Sequence, residues 1–332
     1  MYMQQDVSAI ADRVLSGNRR YLSKAITLIE SRYFNDGLLL VEHVLPATGK
    51  SLRIGITGAP GVGKSTFIDA LGTYLRTLGK KIAILAIDPS SEYSGGSILG
   101  DKIRMLHLAN DDGVFIRPTP TAGCLGGVAR FSRETILLCE AAGYDVIFVE
   151  TVGVGQSENE IAAITDCVIS LFLPNSGDEI QGMKRGSMEN ADIILISKAE
   201  ARQKEFATEA ARQLEFSLKF IRRKSPGWKP PVIQVSAMEG IGISDVWKIC
   251  TDFFFGQQSS IFQRRTQQNL QWFSSMVKNM LIEEFMHSEE MKQSFAQAEE
   301  LISDGSILPS RAAFELTQKF FSYNAERIHS RV

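Results

Sequence analysis

What the chain lacks sets the first limits. Its four cysteines, Cys124, Cys139, Cys167 and Cys250, are widely scattered and form no CxxC pair. The four histidines are equally dispersed, with no HExxH and no Cys/His ligand cluster, so a zinc site built by the protein is not expected. Cys139, Cys167 and Cys250 lie in apolar contexts and read as small core residues. Cys124 sits in a Gly-rich loop with nothing near it to suggest a nucleophile. Charge of one sign is also missing. Thirty-six Lys and Arg against 38 Asp and Glu leave a net charge of -2, which argues against a nucleic-acid partner. The most basic patch, Arg222-Arg223-Lys224 with Lys229 nearby, reads as a solvated helix end, with a docking patch as the alternative. No apolar run approaches the ~20 residues that span a bilayer. The N-terminus "MYMQQDVSAIADRVLSGNRR" carries charges throughout and lacks the apolar region of a signal peptide. A soluble, cytoplasmic protein in a reducing compartment, with no membrane partner, is expected.

What is present is an ordinary globular composition, 44% hydrophobic and 22% charged, over 332 residues. Residues 1–48 place apolar side chains at three- and four-residue spacing and predict a helical preface packed on the main domain. Six short apolar runs follow: "LRIGIT" (52–57), "KIAILAID" (81–88), "DVIFVET" (145–151), "CVISLFL" (167–173), "DIILISK" (192–198) and "PVIQVSA" (231–237). Runs apolar on both faces are strands covered by helices on both sides, so residues 49–256 predict an α/β domain with a mainly parallel sheet. Residues 257–332 read as a helical extension. Its "RRTQQNLQWFSSMVKNMLIEEFMHSEEMKQSFAQAEELI" is one long helix, with Leu270, Phe273, Val277, Met280, Leu281, Glu284 and Phe285 near one face. With little sheet left to cover, that stripe suits dimerisation or partner docking.

The strongest motif is "GAPGVGKST", which fits G-x-x-x-x-G-K-[ST] at Gly58, Gly63, Lys64 and Ser65, between a strand and a helix. Gly58, Ala59, Pro60, Gly61, Val62 and Gly63 form a loop whose backbone N–H groups can face phosphate oxygens, and the helix N-terminus adds positive potential. Lys64 is placed to bridge β- and γ-phosphates. The Ser65 hydroxyl is a Mg²⁺ ligand, and Thr66 completes the nucleotide-binding run. The fold class predicted is thus a P-loop NTPase. Three carboxylates fall at suitable strand ends: Asp88, Asp101 and Glu150, each able to hold Mg²⁺ directly or through water. In "ETVGVGQSE", which resembles the switch loop of regulatory GTPases, Gly153 matches the glycine that contacts the γ-phosphate. Gln156 is placed to orient water. Lys64, Glu150, Gln156 and Asp88 are the candidate catalytic residues.

"GAPGVGKST", "AIDPSSEYSGGSILGDKIRM", "DVIFVETVGVGQSE" and "GDEIQGMKRG", in this order, resemble the methylmalonyl-CoA mutase-associated GTPases, a family also labelled lysine/arginine/ornithine transport kinases, in the P-loop class of signal-recognition-particle and MinD-type proteins. The resemblance spans nearly the whole chain. It implies a homodimeric GTPase chaperone that gates adenosylcobalamin loading into an acyl-CoA mutase and protects it. It also places Asp88, Asp101 and Glu150 around Mg²⁺ and the switches. A third switch that communicates with the mutase falls on Asn175, Asp178, Glu179, Gln181 and Lys184. No D-x-H-x-x-G cobalamin motif occurs, so no tightly bound cobalamin is expected. A kinase or transport ATPase would need an acceptor site, and a nickel-insertion GTPase a His- or Cys-rich tract; neither is seen in the sequence. No arginine is plainly placed as an internal finger, so turnover is expected to be slow and completed by a partner or the dimer mate.

"ISKAE" stands where guanine-reading proteins carry Asn-Lys-x-Asp. Ser197 replaces the Asn, Lys198 keeps its stem, and Glu200 offers the carboxylate one methylene further out. Ser236-Ala237, after the next strand, matches the loop that contacts the guanine carbonyl. A carboxylate accepts from guanine N1 and N2 donors and repels the adenine N1 acceptor, so GTP is expected over ATP, less tightly than with the full loop.

Overall fold

The computed structural model describes residues 4–31, 34–88, 105, 107–120, 131–151, 157–174, 185–221, 225 and 227–329. The chain divides into two compact units, residues 1–268 and 269–332.

Unit 1 is built on a seven-stranded parallel sheet: β1 (Leu52–Gly58), β2 (Ile82–Asp88), β3 (Val114–Pro120), β4 (Val146–Thr151), β5 (Cys167–Phe172), β6 (Ile193–Ile196) and β7 (Val232–Gln234). Their order is β3-β2-β4-β1-β5-β6-β7. The chain winds outward on one side of β1 through β2 and β3, returns at β4, and continues on the other side from β5. That reversal around β1 opens a crevice at the carboxyl ends of the strands, the usual ligand position of such sheets.

Alternation of side chains along each strand explains the layers. Ile82, Ile84 and Phe148 join one apolar cluster with Phe67, Leu71 and Phe253, contributed by α4 (Lys64–Thr77) and α9 (Ile243–Gly256). Ala83, Leu85, Ile147 and Val149 face the opposite cluster. There they meet α5 (Ser132–Ala141), α6 (Ser157–Ala162) and the preface helices α1 (Gln4–Leu15), α2 (Arg19–Ile29) and α3 (Phe34–Val44). The preface is therefore core: Ala11, Val14, Leu22, Ala25 and Ile26 are fully buried. A third cluster joins β6 to α7 (Arg185–Asn190) and α8 (Lys204–Ser217) through Met188, Ile194, Ala207 and Leu214. Cys139, Cys167 and Cys250 are buried core residues, and burial raises the thiol pKa of Cys139 and Cys167.

Three expectations need correction. The sheet has a strand beyond the six, β3, formed by "VFIRPTP". Pro118 and Pro120 cannot donate to a ladder, and β3 accordingly pairs only with β2 at the sheet edge. The last two strands are shorter than their apolar runs: β6 stops before Ser197 and β7 spans three residues. The long C-terminal helix is also broken. α10 (Gln258–His287) ends at Ser288, whose side chain accepts from the Met291 N–H and starts α11 (Glu289–Ser303), followed by α12 (Pro309–His329).

Unit 2 holds itself together around Phe285, whose ring stands 5.2 Å from that of Phe320 and 6.4 Å from that of Phe295, with Met291 buried. Leu270, Phe273, Val277, Met280 and Leu281 of the expected stripe stay exposed in the chain.

Candidate nucleotide site

The phosphate loop leaves β1 at Gly58, the last residue of the strand, and enters α4 at Lys64. Gly58 has φ +147° and a Cβ there would stand 2.6 Å from the Leu171 carbonyl oxygen, so no other residue fits without moving β5. Gly63 caps α4 with φ +103°, a left-handed turn that aims the first helical N–H groups into the loop. Lys64 folds back across this loop. Its buried Nζ donates to the Gly58 carbonyl at 2.8 Å and the Ala59 carbonyl at 3.2 Å, holding the ammonium over the cradle. Pro60, Gly61 and Thr66 are exposed beside it, and Val62 is buried.

Glu150 lies on β4 directly beside β1, paired in register with Ile56. Its side chain is buried, and its Oε1 accepts from the Ser65 hydroxyl at 2.9 Å. A hydroxyl and a buried carboxylate, hard oxygen donors at the mouth of a phosphate loop, fit Mg²⁺, which commonly takes one or two protein oxygens plus substrate phosphates. Among the described residues no cluster of three or more His, Cys, Asp or Glu offers a fuller cage. Asp88 ends β2, the other neighbour of β4, and its side chain lies outside the described residues. Asp101, Gly153, Gln156, Asn175, Asp178, Glu179, Gln181 and Lys184 lie outside them altogether.

The second half of the site forms where β6 and β7 end. Ser197 is buried, its hydroxyl 2.7 Å from the Val62 carbonyl oxygen and 3.1 Å from that of Phe172, while its N–H donates to Phe172. Thus the residue that replaces Asn still ties the "ISKAE" loop to the phosphate loop. Lys198 is exposed and has φ +56°, the single positive-φ residue other than glycine among the described residues. Holding a lysine there turns the chain sharply, and the Ala199 N–H then donates to the Val235 carbonyl. Glu200 and Ser236 consequently meet, the Ser236 hydroxyl donating to Oε1 at 3.2 Å. Ser236 is fully buried and its Oγ also receives the Glu239 N–H, while Ala237 packs on the apolar core. The structure thus ties Ser197 to the phosphate loop and Glu200 to Ser236, although 174 positions separate Val62 from Ser236. The Val62 and Phe172 carbonyls that receive Ser197 went unnoticed in the sequence, because a backbone acceptor leaves no residue-type signal.

The amino ends of the strands carry another constellation that residue types alone did not assemble. Asp166 and Asp192 precede β5 and β6 and accept the N–H of Arg53 and Val168 at 3.1 and 3.0 Å. Arg265 clasps Asp166 through Nε at 2.7 Å and Nη2 at 2.6 Å, and Arg264 reaches both oxygens of Asp192 at 3.0 and 3.3 Å. Gln268 donates to the carbonyls of Ala162, the last residue of α6, and of Thr165 just beyond it. Arg53 pairs with buried Glu140 in the same way. Charge pairs tie together the start of β1 and the residues that precede β5 and β6.

Residues 22–290 match the family model described as "Methylmalonyl Co-A mutase-associated GTPase MeaB". The chain is 41% identical over 311 residues to the "GTPase ArgK" of Escherichia coli, covering 92% of this chain and 94% of that protein. It is 38% identical to the mouse mitochondrial "Methylmalonic aciduria type A homolog", over 96% of this chain and 80% of that one. A crystal structure described as a LAO/AO transport system kinase superposes with a TM-score of 0.74 at 34% identity, over 96% of this chain and 99% of the other. The chain belongs to the methylmalonyl-CoA mutase-associated GTPase family, and is a P-loop GTPase related to methylmalonyl-CoA mutase.

Proposed function

We propose that this GTPase is a chaperone for an adenosylcobalamin-dependent acyl-CoA mutase, gating cofactor loading and protecting the loaded enzyme. The observation that carries this reading is an intact phosphate loop, with Lys64 and the Ser65–Glu150 pair in place, in a chain whose separate helical unit leaves Leu270 and Phe273 63% and 68% exposed. Such apolar surface serves association, either in a homodimer through residues 257–332 or with the mutase.

In this reading Ser65 and Glu150 hold Mg²⁺, with Asp88 and Asp101 as further ligands directly or through water. The ion neutralises charge on the phosphates when bound. Lys64 and the loop amides from Gly58 to Gly63 position the β- and γ-phosphates and stabilise the charge that develops on them. Gly153 senses the γ-phosphate and Gln156 orients the attacking water. Glu200 accepts from the guanine N1 and N2 donors, Lys198 packs along the base plane, and Ser236 and Ala237 present the base-carbonyl contact. Segment 175–185, with Asn175, Asp178, Glu179, Gln181 and Lys184, relays the nucleotide state to the mutase.

No arginine is assigned to the γ-phosphate in this scheme, so intrinsic hydrolysis is slow and the partner completes the site. Turnover of GTP measured with and without saturating cognate mutase tests this. Acceleration is expected, and an unchanged kcat would refute completion by the partner. The kinase in the name of the structural relative gives a second reading. It requires labelled phosphate on protein or amino acid, whereas the GTPase releases all of it as inorganic phosphate.

A further inference from the structure

At the amino ends of β1 and β4, unit 1 carries a half-open cavity of about 610 Å³. Organic ligands occupy spaces of about 300–1,000 Å³ with apolar walls and few polar groups. Leu52 and Val146, paired across the two strands, form its floor, and Trp247 and Phe254 of α9 its buried wall. Phe255 and Phe262 border it while 75% and 73% exposed, so two aromatic rings stand beside an apolar hollow with most of their surface in water. Surface of that kind is costly to keep in a soluble chain unless something covers it.

The polar groups on the lining select the class of occupant. Lys50, Lys80 and Arg265 face one carboxylate, Asp145. Arg265 is already neutralised by the two oxygens of Asp166. Lys80 stands 3.9 Å from Asp145, whose other oxygen accepts the Lys81 N–H. Lys50 is left exposed and without an ion pair among the described residues. A cation would be repelled by this rim, and a neutral apolar molecule would leave Lys50 unused. A triphosphate would find no backbone cradle and one unpaired charge. An apolar body carrying a single anionic group satisfies both the wall and the rim.

We propose that this cavity is a binding site for a small amphipathic organic anion, its aromatic or aliphatic body against Trp247 and Phe254 and its carboxylate, sulfonate or phosphate at Lys50. The site is separate from the nucleotide. β1 is seven residues long, so at about 3.3 Å per residue its two ends lie about 20 Å apart.

The test titrates the full-length chain with 8-anilinonaphthalene-1-sulfonate and with its uncharged analogue N-phenyl-1-naphthylamine, read by fluorescence. One saturable sulfonate site per chain is expected. Lys50→Ala weakens the sulfonate about fivefold and leaves the neutral probe unchanged, as the loss of one partly exposed charge pair implies. Thr251 lines the cavity. Thr251→Trp fills it and abolishes binding of both probes, and Thr251→Val, of nearly equal volume, retains both. GTP hydrolysis stays native in all three variants. If Thr251→Trp loses hydrolysis through misfolding, Phe262→Ala at the exposed margin decides, with weaker binding of both probes expected.

Undiminished sulfonate binding in Thr251→Trp with hydrolysis intact, or in Phe262→Ala, overturns the site. So does binding without saturation. Equal weakening of both probes in Lys50→Ala overturns the anion. Sedimentation of native chain and Thr251→Trp separates the remaining occupant: an assembly that the native chain forms and the variant loses would mean that a second copy fills the cavity, and the proposal would fail.

Discussion

The two ends of one parallel sheet are built from similar residue types put to opposite uses. At the amino end, Asp166, Asp192 and Glu140 each meet an arginine with two oxygens, and strand N–H groups supply further bonds. At the carboxyl end, Glu150 accepts from the Ser65 hydroxyl and Glu200 from the Ser236 hydroxyl. A bidentate arginine pair locks geometry and leaves little capacity for anything else. A carboxylate that accepts from a neutral hydroxyl can offer its oxygens to a metal ion or a base. The difference teaches that the kind of donor meeting an acid, a forked arginine or a neutral hydroxyl, separates the structural acids from the candidate functional ones.

Substitutions that exchange these characters break the comparison. The largest effect belongs to Asp166→Ala, which strands the Arg265 guanidinium and costs about 3–5 kcal/mol of stability in urea unfolding. Hydrolysis per folded molecule stays native. Lys64→Ala reverses the pattern: kcat/KM for GTP falls about 10²–10³-fold, the usual cost of removing a preorganised electrostatic group, while the unfolding midpoint barely moves. Glu150→Gln keeps the shape and removes the charge, so the Mg²⁺ concentration for half-maximal activity rises about 10–100-fold. Smallest is Ser197→Ala. Losing one buried hydroxyl removes the donor to the Val62 carbonyl, while the Phe172 carbonyl keeps the backbone N–H of residue 197, for about 1 kcal/mol in GTP affinity by calorimetry.

The phosphate loop and the "ISKAE" loop were legible in the sequence and the charge pairs of the amino end were not, for a physical reason. "GAPGVGKST" and "ISKAE" are contiguous, because a loop that wraps a ligand is built from consecutive backbone. Arg265 and Asp166 stand 99 residues apart and look like ordinary surface charges until the fold joins them. Periodicity exposed the buried strands, whereas β3 was hidden by prolines that only an edge strand tolerates. Ser288 with Glu289 and Glu290 after it carried a helix-start signal inside a run of good helix formers, and the run drew the reading past it. Ser197 is the opposite case: standing where the full loop has Asn, its hydroxyl reaches the phosphate loop at Val62.

Base selection tests the open carboxyl end most directly. Competition titration of GTP against ATP, on the native chain and on Glu200→Ala, isolates the one carboxylate assigned to the guanine edge. Tighter GTP binding that largely disappears in Glu200→Ala is expected. ATP binding as tight as GTP in the native chain, or a GTP preference unaltered by Glu200→Ala, would contradict a base-reading site at Ser197, Glu200 and Ser236.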